Sequence, residues 1–386
     1  MKRIFIIGLI IFGLFSIVTA QSGRKIEPTP TPQVKQTEDN SYSESKPVQK
    51  RSDRITPALR GNTNQTQKQN TRNQTETIET LNDSEDEVIK VETSLITIPV
   101  SVFDRNNLYI SNLKKEDFNI FENGAEQEIA YFGTSEKPFT VVLLIDTSPS
   151  AETVLDDIKA AAIAFVNQLK PQDSVIVIEF AGDVHVLTEA TSDRQKIYKA
   201  INRADIGNGT VLYDAINFTI RKRLSKIEGR KAIILLTDGV DTYSSSTYDK
   251  SLDEAEESDA PVFPIYYNTS ADILRQVDIF STQTRREVLQ EYVLGKQYLK
   301  ELADNTGGRV FNAQANRDGL NEAFEGIAEE LRRQYQIGYY PVNQGKAGER
   351  KQIKVRVNRS NLIVRARDSY IVGATVNPQT NPIKVK

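Results

Sequence analysis

Cysteine and tryptophan are absent from this chain of 386 residues, and histidine and methionine occur once each. Without cysteine there is no disulfide scaffold, no thiol nucleophile and no zinc or iron–sulfur site built on thiolates. The lone histidine, His185, excludes a His-pair metal site and leaves one imidazole for acid–base work. Dense runs of Lys and Arg are missing, and 49 cations against 52 acids give a net charge of −3, so no basic face is offered to nucleic acid. Long apolar runs are scarce as well. The stretch Ile4 to Val18 has no counterpart later in the chain.

That stretch follows two cations, Lys2 and Arg3, and ends in Val18-Thr19-Ala20, the small-x-small form of a signal-peptidase site. The expectation is export, with residues 1–20 removed before Gln21 and the body secreted or held in the periplasm or cell envelope. An uncleaved N-terminal membrane anchor stays open, because the run falls between an export signal and a spanning helix of about 20 residues. Cysteine does not follow the cleavage point, so a lipid-anchored lipoprotein is excluded. Residues 21–87 are rich in Ser, Thr, Asn, Gln and Pro, with Tyr42 their one aromatic residue. Such a stretch buries too little apolar area to offset ~1–2 kcal/mol of backbone entropy per residue, and it reads as a disordered tether. A glycosylated or wall-spanning stalk is the functional alternative.

Order is expected from Val88. In Ile96-Thr97-Ile98-Pro99-Val100-Ser101-Val102 the apolar residues alternate, which predicts a half-buried strand, with Pro99 outward and favouring a sheet edge. Val91 and Leu95 keep the opposite parity, so a bulge is expected near Leu95-Ile96. Asn119 to Glu122 and Glu128 to Phe132 read as strands joined by an Asn123-Gly124 hairpin. Beyond Tyr335 the alternation returns at Tyr335, Ile337 and Tyr339, then at Ile353, Val355 and Val357, with shorter pieces to Val372. Each β-piece is too small to form a core alone, so 88–137 and 335–373 are expected to share one β-sandwich around the block between them, with 374–386 a tail. Two separate sheet extensions are the alternative.

The central block, 138–334, alternates strand and helix. Phe139 to Ile145 is a continuous apolar run, as in a parallel strand buried on both faces, and Ser174–Phe180, Val184–Leu187, Lys231–Leu236, Val262–Tyr267 and Arg309–Phe311 complete six expected strands. Helices are expected over Ala151–Lys170, Arg194–Arg203 and Leu212–Ile227, and in the acidic stretch Asp249 to Asp259. The fold class is therefore α/β, a doubly wound, Rossmann-like, mostly parallel six-stranded sheet flanked by a β-sandwich. Ligands of such sheets sit beyond the carboxyl ends of the strands, where strand order reverses.

Three segments fall there. Asp146-Thr147-Ser148-Pro149-Ser150 ends the first central strand, Asn208-Gly209-Thr210 opens a helix, and Thr237-Asp238-Gly239 ends a later strand. Together they offer two carboxylates and three hydroxyls, all hard oxygen donors. That set suits Mg²⁺ above all, with Mn²⁺ or Ca²⁺ as alternatives, and leaves positions for water or a partner's carboxylate. These residues resemble the metal-ion-dependent adhesion site of von Willebrand factor type A domains. The resemblance implies Asp146, Ser148, Ser150, Thr210 and Asp238 as metal residues, with the hydroxyls mostly touching the metal and the aspartates acting mostly through water. It also implies a protein partner that presents Asp or Glu to the ion. Leu113–Ile129 and Tyr335–Pro341 resemble segments that flank this domain in a class of exported bacterial proteins.

Enzyme readings lack parts. Asp146-Thr147-Ser148 is similar to the aspartate strand of subtilisin-like proteases, but no His-Gly-Thr or Gly-Thr-Ser partner exists, and a haloacid-dehalogenase-like phosphatase would need an Asp where Ser148 stands. No catalytic residue is assigned. The leading expectation is an exported, metal-dependent adhesion or protein-binding module, with membrane contact only if the N-terminal segment stays as an anchor. A structural envelope subunit whose metal merely pins three loops, and a hydrolase, are the alternatives. His185 reads as a surface residue. The acidic helix reads as a solvated face or as a cation-enriching one, and residues 269–295 as either a specificity loop or a solvated excursion.

Overall fold

The computed structural model describes residues 41–46, 95–134, 137–270 and 282–373. The expected signal, most of the expected tether, Asp272, Leu274 and Phe280, and the tail lie outside the described residues.

One piece of the expected tether is a correction. Ser43–Glu44 forms a short strand, β1, laid against a strand near the far end of the chain. Strand β2, Ile96–Phe103, buries Ile96, Ile98, Val100 and Val102 as its alternation predicts. Its other face is covered too, for Pro99 and Ser101 are buried. β2 is therefore not an edge strand, and Val91 of the expected bulge lies outside the described residues. Phe118–Glu122 (β3) turns through Asn123 and Gly124, both at positive φ, into Ala125–Gln127 (β4), the geometry of a tight hairpin. Ile129–Gly133 (β5) was expected as the returning arm of that hairpin, but it belongs to a different sheet, so the chain changes sheets at Glu128.

The central strands are Phe139–Asp146 (β6), Ser174–Phe180 (β7), Val184–Thr191 (β8), Arg230–Thr237 (β9), Val262–Tyr267 (β10) and Phe311–Ala313 (β11). They form one sheet in the order β11-β10-β9-β6-β7-β8, parallel except for the β7–β8 pair. The helices are Leu155–Gln168 (α1), Arg194–Arg203 (α2), Leu212–Phe218 (α3), Tyr248–Glu257 (α4), Thr282–Thr306 (α5) and Arg317–Arg333 (α6). Alternate residues of β6 feed opposite layers. Val141, Leu143 and Ile145 meet Phe165 of α1, Ile197 of α2 and Phe324 of α6. Val142 and Leu144 meet Leu212 of α3, Leu252 of α4 and Leu302 of α5. Burial on both faces explains the unbroken apolar run of β6.

Several expected bounds shift. A 3₁₀ turn at Pro149–Ala151 precedes α1, and α3 ends early in a π turn, Thr219–Arg223, and a further 3₁₀ turn. β11 starts at Phe311 rather than Arg309, because Arg309 turns aside to stack on the Phe311 ring and pair with Glu330. The acidic helix α4 is not a purely solvated face: Glu254 pairs with Arg221, and Glu256 is buried against Arg350.

The C-terminal strands are Tyr335–Tyr339 (β12), Arg350–Val357 (β13), Ile363–Arg365 (β14) and Ser369–Ile371 (β15). They interleave with the N-terminal ones. β12 lies between β2 and β5 and β14 pairs with β2, while β3 pairs with β13, which also carries β1 and β15. One core joins Ile98, Val100, Ile120 and Ile129 to Tyr335, Ile337, Val355 and Val364. Inside it, Lys351 and Glu122 form a buried ion pair at 2.8 Å, and the Tyr339 and Tyr370 hydroxyls donate to the other carboxylate oxygen at 2.8 Å each. Between the sandwich and the α/β block, Arg309 and Arg365 stack on Phe103 and flank the buried carboxylate of Glu330 on α6.

Candidate metal centre

After β6 the chain moves to β7 and β8 on one side of the sheet, then crosses to β9 on the other. The carboxyl ends of β6 and β9 therefore flank the crevice at the reversal of strand order. Asp146 is the last residue of β6 and Asp238 directly follows β9, and both are buried.

Hydrogen bonds tie the neighbouring loops together. The Thr237 hydroxyl donates to Asp146 Oδ2 at 2.6 Å, and the Ser148 amide donates to Oδ1 at 2.9 Å. Ser148 Oγ and Ser150 Oγ lie 3.1 Å apart. The Gly207 amide donates to Thr147 O at 2.9 Å, and the Thr242 and Tyr243 amides donate to Thr210 O at 2.9 and 3.0 Å. Thr210 is thus joined to the loop after Asp238 through its backbone. Gly209, at φ +74°, turns this loop with the Tyr243 ring packed where a side chain would stand.

Asp238 is held by residues that no local motif marks. Thr269 Oγ1 donates to its Oδ2 at 2.6 Å and the Tyr292 hydroxyl to the same oxygen at 3.2 Å, while the Val240 amide donates to Oδ1 at 3.2 Å. Thr269 and Tyr292 also touch each other at 2.8 Å. The ends of the 269–295 connection thus lie against the centre. Gly295 packs on Gly239 so closely that a Cβ there would stand 2.4 Å from the Gly239 carbonyl oxygen. The sequence offers no signal for these partners, which are dozens of positions from the motif; Thr237 at least adjoins it.

Burial, then the nearby charge of Asp238, pushes the Asp146 carboxyl up to about 7, against the opposing pull of its hydroxyl and amide donors. Burial, then the same Asp238 charge, also raises the Tyr292 hydroxyl. Among the described residues the donors to Asp146 are hydroxyls and amides, not cationic side chains, so two acidic groups share a low-dielectric crevice. A divalent cation is the natural counterweight. The donor set is all oxygen, and no cluster of three or more His, Cys, Asp or Glu occurs among the described residues. Neighbouring ligands of an octahedral ion bonded at ~2.1 Å stand roughly 3 Å apart, close to the Ser148–Ser150 spacing. These residues fit a hard cation that keeps waters. His185 lies elsewhere, exposed on β8 beside Glu179.

Residues 141–240, the N-terminal part of the central block, match the family model of the von Willebrand factor type A domain. An uncharacterized protein of Borreliella burgdorferi is 23% identical over 182 residues, covering 45% of this chain and 53% of that protein. A UPF0353 protein of Mycolicibacterium gilvum is 25% identical over 219 residues, covering 52% of this chain and 60% of its own length. The chain thus spans little more than half the length of these curated relatives. Among solved structures, a von Willebrand factor type A protein of Catenulispora acidiphila aligns at a TM-score of 0.40 and 11% identity, over 74% of each chain.

Proposed function

We propose that this type A domain binds a divalent cation, Mg²⁺ first, and uses it to capture a carboxylate on a partner protein. The observation that carries the reading is the pair of buried carboxylates, Asp146 and Asp238, meeting at the strand-order reversal beside two mutually paired serine hydroxyls. Ser148, Ser150 and Thr210 would hold the ion directly. Asp238 has both oxygens engaged by Thr269, Tyr292 and Val240, so it serves through water. When bound, the ion supplies a positive centre with an exchangeable position for an Asp or Glu side chain. The chain's part is to keep that position open and to orient the hydroxyls around it; no proton transfer or bond cleavage is assigned to any residue.

A purely structural ion that pins the three loops is the less favoured reading, because hydrogen bonds among Thr147, Gly207, Thr210, Thr242, Thr237 and Asp146 already join those loops. Export, by the N-terminal segment, is the setting in which the proposed adhesion operates. The test is a pull-down from envelope extract in Mg²⁺ and in EDTA, with calorimetry of Mg²⁺ binding alongside. Partner capture that disappears with chelation and with Asp146→Ala supports the reading. Capture indifferent to both, with Mg²⁺ still binding, would overturn it in favour of the structural ion.

A further inference from the structure

The segment Tyr42–Lys46 sits in a slot of the sandwich bordered by β13 and β14. Its backbone pairs antiparallel with β13, Ser43 opposite Val357 and Glu44 opposite Arg356, and Ser45 bridges to Val364 of β14. The side chains alternate. Ser43 and Ser45 point inward and are buried. The Leu362 amide donates to Ser43 Oγ at 2.9 Å, and Ser43 Oγ donates to Arg359 O at 2.7 Å. The Val355 amide donates to Ser45 Oγ at 3.0 Å, and the Ser45 amide donates to Val355 O at 2.8 Å. Outside, Arg356 binds Glu44 through two nitrogens at 2.6 and 3.0 Å, and Lys354 reaches the other oxygen at 3.3 Å. The Arg356 guanidinium also lies between the Tyr42 and Phe121 rings, at 3.9 and 4.9 Å. Every determinant of docking lies within Tyr42–Ser45 and can travel with that segment.

The connection that follows is far longer than docking on the same chain needs. Ser45 is beside Val364, which pairs with Val102 of β2, and Leu95 lies on the same chain just ahead of β2. Two strand spacings and seven extended residues put Lys46 and Leu95 about 25–30 Å apart, a gap that roughly ten residues would close. Residues 47–94 offer roughly 50 positions, with a reach of up to ~160 Å when extended. An edge strand with such a long-leashed partner is a template for pairing with another chain.

We propose that this slot is a strand-exchange site, at which one copy of the chain receives the Tyr42–Ser45 segment of a second copy. Residues 47–87 carry few apolar side chains with which to form a core of their own, and exchange is independent of the metal centre. Docking on the same chain dominates in dilute solution, because the tether keeps its own segment at high effective concentration; exchange takes over when copies are crowded.

Charge reversal on the full chain separates the two. Glu44→Arg faces Arg356 and Lys354, and Arg356→Glu faces Glu44, so each variant alone loses its own docking and runs as a monomer. Mixed in equal amounts, the two offer complementary pairs only between copies. Light scattering after gel filtration should then report twice the chain mass, and the double variant E44R/R356E should behave as the wild type. A mixture that stays monomeric overturns the proposal. Should a charge variant fold poorly, the lack of cysteine allows a second reading. A Glu44→Cys chain mixed with an Arg356→Cys chain should give, on oxidation at high concentration, a dimer whose disulfide joins those two positions. Recovery of monomers alone would overturn exchange between copies.

Discussion

Asp146 and Asp238 carry the proposed binding site at the scale of single residues: two acids are buried at neighbouring strand ends, with no cationic side chain bonded to either among the described residues. Asp146→Ala and Asp238→Ala should each abolish Mg²⁺-dependent thermal stabilisation, because an ion stabilises only a native state that binds it. The double substitution Ser148→Ala plus Ser150→Ala should give the same loss with little change in the metal-free melting temperature. The pH dependence in chelator has a defined sign. The native Asp146 holds its proton up to about 7, against 3.8 as the ordinary value. Its contribution to stability is therefore fully present below about 4 and is lost as pH rises towards and through about 7. Melting curves in EDTA should show that decline flattened in Asp146→Asn, and an unchanged slope would remove Asp146 as its source. Tyr292→Phe deletes one donor to Asp238 and should cost about 1 kcal/mol in urea unfolding.

At the scale of elements, α5 and α6 each tie the domain to something beyond its own layer. Gly295 of α5 rests on the backbone of Gly239, where any side chain meets a carbonyl that cannot rotate away. Gly295→Val should push α5 outward, loosen Tyr292 from Asp238, and cost about 1–3 kcal/mol, with weaker Mg²⁺ binding by calorimetry. α6 carries Glu330 to the sandwich and runs directly into β12. Burial raises the Glu330 carboxyl although Arg309 and Arg365 oppose that shift. Removing the carboxylate leaves two arginines near Phe103 without the acid they share, so Glu330→Ala should destabilise by about 3–5 kcal/mol, the range for breaking a buried pair. Glu330→Leu, which fills the space but leaves the arginines unpaired, should rescue little in the same unfolding assay.

At the scale of the whole molecule, strands from either side of the α/β block in sequence share sheets and one core. β12 stands between β2 and β5, and β13 stands beside β3, so β2, β3 and β5 each have a C-terminal neighbour, and β4 joins its sheet through β3. A chain of 88–334 should therefore expose the apolar faces of Ile98, Val100 and Ile120 and aggregate, while 138–334 should stay soluble and bind Mg²⁺. Gel filtration of both against 88–386 checks this. If 88–334 is as soluble and monomeric as 88–386, the sandwich does not need its C-terminal half.

The sequence by itself determined what short-range pattern can carry. Unbroken apolar runs such as Val141–Ile145 belong to strands buried on both faces, the alternation of Ile96 to Val102 to a strand with one face in a core, and Asp146-x-Ser148-x-Ser150 to a turn whose oxygens converge within a few residues. Those signals suffice for the α/β class and for nominating the crevice. Tertiary structure decided whatever depends on residues far apart in the chain. Thr269 and Tyr292 find Asp238 only because β10 and α5 return to the same strand ends. Pro99 and Ser101 look like a solvent face in the sequence yet are buried in the fold, and Glu128 looks like part of a hairpin until the two sheets claim opposite sides of it. Ser43 and Ser45 are unremarkable in a polar stretch, because their value comes from the amides of Leu362 and Val355 that donate to them, more than three hundred positions away. Composition reports how much apolar area a segment can bury on its own; it is silent about hydrogen bonds that a distant edge strand holds ready for it.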